Sequence, residues 1–139
     1  MTHEEKRQRA YYRVAWNIKH MWDEGGTSDT RLLERPLISD AFVVVGESEA
    51  GTGRREHIVP RKVLCSEAHK MFAEGASIEE VAELLERFLK VVLITREEQR
   101  YMDSAAGLGL RQRMPEGWNF NDGDSLARLN AAEIKVKLY

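Results

Sequence analysis

The chain has 139 residues, 42% hydrophobic and 32% charged, which is enough apolar material for one globular domain with a single sizeable core. Its one cysteine, Cys65, excludes an intramolecular disulfide and a cysteine-rich zinc site and fits a reducing, cytoplasmic setting. A formal net charge of −2 excludes nucleic-acid binding by bulk charge, and the longest aliphatic run, Val91 to Ile94, is far below the roughly 20 residues that cross a bilayer.

In chain order, the first expected element is a helix from Thr2 to Asp23. Thr2 and Glu5 have capping-box spacing, Tyr11, Val14, Ala15, Ile18 and Trp22 form one apolar face, and Gly25-Gly26 supplies a stop. The charged start, Thr2 to Lys6, has no signal-peptide core. Tyr12 and Trp16 fall off the main stripe and mark either wide burial or a partner surface. A short helical piece over Thr30 to Glu34 is ended by Pro36. The period then changes: Ala41 to Val45 is short and rich in β-branched residues, which predicts a strand. Gly46 to Gly53 has no apolar anchor and no phosphate-cradle pattern, so it is expected to be the loop of a hairpin whose second arm is Arg55 to Val59.

Pro60 can open a helix in which Leu64, Ala68, Met71 and Phe72 repeat until Gly75. Ser77 with Glu80 caps the next helix, with Ile78, Val81, Ala82, Leu85, Phe88 and Leu89 on one face. Val91 to Ile94 follows as a buried strand, and Thr95 with Glu98 caps a helix to about Ala105. Beyond loops at Gly107 to Gly109 and Pro115 to Gly117, Asp124 to Ala132 predicts a short helix. Ile134 to Leu138 alternates like a strand with one solvated face. The expected fold is α+β, a mostly helical single domain over residues 1–139 with a small antiparallel β element.

The stretch Arg55-Glu56-His57-Ile58-Val59-Pro60 carries the most specific chemistry. A carboxylate beside a histidine at a strand end can hold a divalent cation while the imidazole activates water. Together with Val92-Leu93-Ile94-Thr95 feeding Arg96-Glu97-Glu98-Gln99-Arg100, this stretch resembles the ββα metal finger of HNH (His-Me finger) nucleases over residues 54–104. The resemblance implies Glu56 as a metal ligand, His57 as general base, and Gln99 where the family places a final His or Asn. Mg²⁺ or Mn²⁺ is the implied cofactor and DNA or RNA the implied partner. Arg54, Arg55, Arg61, Lys62, Arg96 and Arg100 flank these positions as candidate phosphate contacts, with Arg111 and Arg113 downstream. The expected function is a metal-dependent nucleic-acid phosphodiester hydrolase or a degenerate relative of one.

Other readings stand beside it. His57 can be a core-edge histidine bonded to backbone, with Glu56 paired to Arg54 or Lys62, and His3, His20 and His69 lack ligand spacing and are expected at the surface. Gly75-Ala76-Ser77 followed by Val81-Ala82 resembles the turn of a helix-turn-helix DNA binder, but the next helix carries Glu79, Glu80, Glu83 and Glu86. A non-catalytic phage or mobile-element protein that docks on a host protein complex, as an anti-defence inhibitor does, is the remaining class.

Overall fold

The computed structural model describes all residues from Met1 to Tyr139. Helix exceeds strand by 49% to 12%, so the fold class is α+β and mostly helical. Two compact units are resolved, one comprising Met1–Val43 with Leu64–Leu89 and the other Val44–Val63 with Lys90–Tyr139. No helix is long and apolar enough to cross a membrane.

The first unit is built on α1 (His3–Gly25) and α4 (Ile78–Phe88), both opened by complete capping boxes, Thr2 with Glu5 and Ser77 with Glu80. On α1 the face Ala10, Tyr11, Val14, Ala15 and Ile18 is buried, and on α4 Val81, Leu85 and Phe88 are. These stripes follow the 3.6-residue period that the sequence carries. Tyr11 donates its hydroxyl to the Leu89 carbonyl at 2.8 Å, so burial of the ring leaves no unsatisfied group, and the same burial raises the phenol's pKa. Arg7 pairs with Glu86 at 3.3 Å between the same helices. A 3-10 helix (Thr30–Leu33) and α2 (Asp40–Val43) complete the unit with α3 (Arg61–Ala73) from Leu64 onward. His69 departs from the surface position expected of it. It is half-buried, stacked on Trp22 with ring centres 5.0 Å apart, and bonded through Nε2 to the Ser28 hydroxyl.

The second unit holds a four-stranded sheet of β1 (Val44–Ser48), β2 (Arg54–His57), β3 (Val91–Ile94) and β4 (Val136–Leu138), in the order β2-β3-β1-β4. Three sequence expectations change here. Ala41 to Val43 is helical, because Ser39 accepts backbone hydrogen bonds from Ala41 through its hydroxyl and from Phe42 through its carbonyl. The strand therefore starts at Val44 and runs into the segment read as loop. β1 and β2 are not hairpin partners, since each takes a different edge of β3: β2 antiparallel, β1 parallel. The sheet is accordingly mixed rather than antiparallel, with β4 antiparallel on the outer edge of β1. Gly46 permits that last pairing, because a Cβ there would stand 2.7 Å from the Lys137 carbonyl oxygen. The helix α5 (Arg96–Asp103) follows β3 directly, and α6 (Ala127–Ala131) precedes β4. Thus β2, β3 and α5 form a ββα arrangement, with α3 and α4 inserted between its strands.

Leu85 on α4 is fully buried, so Leu85→Ala is expected to cost about 2–5 kcal/mol through lost burial and a residual cavity. Ser77→Ala, which removes only the cap, is expected to cost about 1 kcal/mol. Urea unfolding of both variants checks the order; equal losses would mean that capping, not the buried face, holds α4.

Candidate nucleic-acid interface

A strand sends successive side chains to opposite faces. In β2, whose pairing with β3 runs without interruption from Arg54↔Ile94 to His57↔Val91, Arg54 and Glu56 therefore share one face and Arg55 and His57 the other. The acid and the histidine of the motif are separated across the sheet. Glu56 is buried, with 7% of its surface exposed.

Helix α5 approaches the Glu56 side. Its capping box is complete: Thr95 accepts from the Glu98 backbone N–H, and Glu98 Oε1 accepts from the Thr95 N–H. Glu98 Oε2 accepts from the buried Ser48 hydroxyl at 2.8 Å, tying the helix start to β1. With the helix so fixed, Arg96, Gln99, Arg100 and Asp103 recur at i, i+3, i+4 and i+7 and present one face. Gln99 Nε2 donates to Glu56 Oε2 at 2.8 Å, so the structure brings together the two residues expected to share a cation.

The group that organises this site was not singled out in the sequence. Arg128, on α6, is 1% exposed and is surrounded by acceptors. Its Nη2 donates to Glu56 Oε1 at 2.9 Å, to Asp103 Oδ1 at 3.3 Å and to the Leu110 carbonyl at 2.7 Å. Its Nη1 donates to the His57 carbonyl at 2.6 Å and its Nε to the Leu110 carbonyl at 2.9 Å. One guanidinium thus joins β2, the end of α5 and the loop after it. That loop reaches Arg128 by folding tightly back on α5, with Gly107 so close that a Cβ would overlap the Tyr101 carbonyl. A signal for Arg128 does exist in the sequence. Arg128, Leu129 and Ala132 share one helical stripe, and the other two are buried, so a charge in that stripe requires an acid elsewhere in the fold.

Burial pushes the Glu56 carboxyl above the usual range, against the pull of the Gln99 hydrogen bond and the Arg128 charge, while Asp103 nearby pushes it further up. Burial also raises Asp103, partly offset by Arg128 and Arg111. This donor set does not suit a divalent cation. One Glu56 oxygen faces a fixed guanidinium and the other accepts from Gln99, whose carboxamide presents nitrogen rather than oxygen to it. No group of three or more His, Cys, Asp or Glu side chains is placed to hold a metal.

Beside the buried cluster lies an open cleft of about 620 Å³, lined by Arg54, Arg96, Gln99, Arg100, Asp103 and Arg111, with Ser104 and Ala105. Of the expected phosphate contacts, Arg54, Arg96 and Arg100 converge here and Arg111 joins them. Arg55, Arg61, Lys62 and His57 do not line it, because Arg55 and His57 belong to the other face of β2 and Arg61 and Lys62 open α3. Four guanidinium groups against one carboxylate make it a locally cationic surface in a chain of net charge −2. No family model matches the chain, and neither a curated protein nor a solved structure matches it.

Arg128→Met leaves two carboxylates without their shared cation and three backbone bonds unmade, and is expected to cost about 3–5 kcal/mol in chemical denaturation. Adding Glu56→Leu should recover part of that loss; a double variant no more stable than the single one would show that the pair is not what Arg128 serves. The raised carboxyl pKa values fix a sign for pH dependence. Glu56 binds its proton more tightly folded than unfolded, so its contribution to stability is greatest below the ordinary glutamate pKa and declines as pH rises through the raised value. Thermal unfolding against pH should show wild type losing ground to Glu56→Gln across that window, and the opposite trend would overturn the assignment.

Proposed function

We propose that the second unit binds the phosphate backbone of a nucleic acid in the arginine-lined cleft, as a degenerate relative of the HNH fold that does not cleave its ligand. The observation that carries this reading is the convergence of Arg54, Arg96, Arg100 and Arg111 on one cleft. Arginine guanidinium groups make forked, charge-assisted hydrogen bonds to phosphate oxygens, and a cleft focuses their field. The arrangement of β2, β3 and α5, with Gln99 against Glu56, supports the kinship.

Three features support binding without hydrolysis. Both Glu56 oxygens are engaged by protein donors, Gln99 offers Glu56 an N–H, and the alternation of β2 turns His57 away from the Glu56 side. A water molecule activated by His57 would arise on the face opposite the arginines. Helix α4 offers no comparable surface for a helix-turn-helix mode, since Glu79, Glu80 and Glu83 are all exposed on it and would repel phosphate.

Fluorescence anisotropy with labelled oligonucleotides tests the proposal through its salt dependence. If all four arginines neutralise phosphates of a duplex, log Kd against log salt should have a slope of magnitude about 3.6, and Arg54→Ala or Arg100→Ala should each lower it by about one. Arg61→Ala with Lys62→Ala should leave it unchanged. Plasmid incubated with Mg²⁺ or Mn²⁺ should stay intact; nicking that His57→Ala abolishes would replace binding with hydrolysis as the function.

A further inference from the structure

The cleft is not uniformly cationic, and its exceptions are oriented. Asp103 is held through Oδ1, which accepts from Arg128, and its side chain is 22% exposed where it lines the cleft, so its second oxygen remains for the cleft. Gln99 is oriented by the carboxylate it touches. Glu56 accepts and does not donate when ionised, so Gln99 Nε2 faces it, and the Gln99 carbonyl oxygen is turned away on a side chain that also lines the cleft. Residues 99 and 103 are one helical turn apart, so the two acceptors are neighbours on the face of α5 that carries Arg96 and Arg100.

Phosphate oxygens would be repelled by both acceptors, whereas a neutral hydrogen-bond donor would be drawn to them. A nucleic acid bears such donors on the nucleotides whose phosphates it presents. The ribose 2′-hydroxyl, beside the phosphate, is one, and the exocyclic amine of a base, such as that of cytosine and farther from the backbone, is the other. We propose that Asp103 and Gln99 read a hydrogen-bond donor of the bound strand while the surrounding arginines hold its phosphates. This rests on the phosphate-binding reading of the same cleft and adds selectivity to it.

Four labelled homopolymers of equal length, oligo(rU), oligo(rC), oligo(dT) and oligo(dC), compared by anisotropy at one salt concentration, separate the sources. A 2′-hydroxyl donor is expected to favour both ribose polymers by about tenfold, the lower end for a hydrogen bond to a charged acceptor. An exocyclic-amine donor favours both cytosine polymers by a similar factor. Either pattern supports the proposal. Equal binding of all four overturns it and leaves phosphate binding standing, whereas no binding of any overturns both. Asp103→Asn keeps an acceptor for Arg128 and places an amide donor toward the cleft, so it should erase the preference; an unchanged preference counts against Asp103. The homopolymer comparison uses the native chain and decides the matter even where that variant does not fold.

Discussion

The buried guanidinium of Arg128 is the constraint on which the second unit depends. Removing a cation from water costs several kcal/mol after relaxation, and that cost is recovered only when its hydrogen bonds are satisfied and opposite charge is near. Arg128 meets both conditions with two carboxylates and two backbone carbonyls, drawn from β2, α5 and the loop that follows. A lysine, with one compact ammonium and no planar fork, would not span that set of acceptors. The interaction is therefore specific in geometry as well as sign. It determines where β2 and α5 stand relative to the loop bearing Arg111, and so determines the cleft.

The same interaction separates the motif's composition from its chemistry. Glu56 and His57 have the residue types that metal-assisted hydrolysis uses, but chemistry depends on what their atoms face. Glu56 is matched to Arg128 and Gln99, and a cation brought to it would compete with a buried guanidinium whose other carboxylate contact, Asp103, is longer at 3.3 Å. His57 contributes its backbone carbonyl to Arg128 while regular strand pairing carries its side chain to the opposite face. β2 and α5 bring Arg54, Arg96 and Arg100 to the cleft, and the loop after α5 brings Arg111.

What was legible in the sequence follows the range of the interactions concerned. The capping boxes at Thr2, Ser77 and Thr95 each join residues three apart, and all three are present as the sequence implies. The stripe on α4 and the strand Val91 to Ile94 are equally local signals. Ala41 to Val43 misleads because its β-branched and aromatic composition is outweighed by Ser39, whose hydroxyl and carbonyl start a helical turn. The hairpin expectation fails for a different reason: β1 and β2 are adjacent in sequence, yet β3 offers each a full edge. Pairing of Glu56 with Arg128 spans 72 positions, and no local pattern records it. Gln99 and Glu56 are expected in one site from the sequence, but no local signal sets the direction in which the carboxamide points.

Net charge conceals this site because the acidic and basic residues occupy different places. Four glutamates lie along α4 and Glu56 is buried where Arg128 offsets it, while four arginines are gathered around one cleft. At physiological ionic strength a charge is felt over roughly 8 Å, so an approaching polyanion responds to the local set and not to the sum over the chain. Burying Glu56 against Arg128 keeps its negative charge from the cleft surface, which leaves Asp103 as the one carboxylate an anionic strand would meet there. An acceptor retained among four cations weakens phosphate binding unless the ligand brings it a donor. That is the physical basis for the selectivity proposed for this cleft.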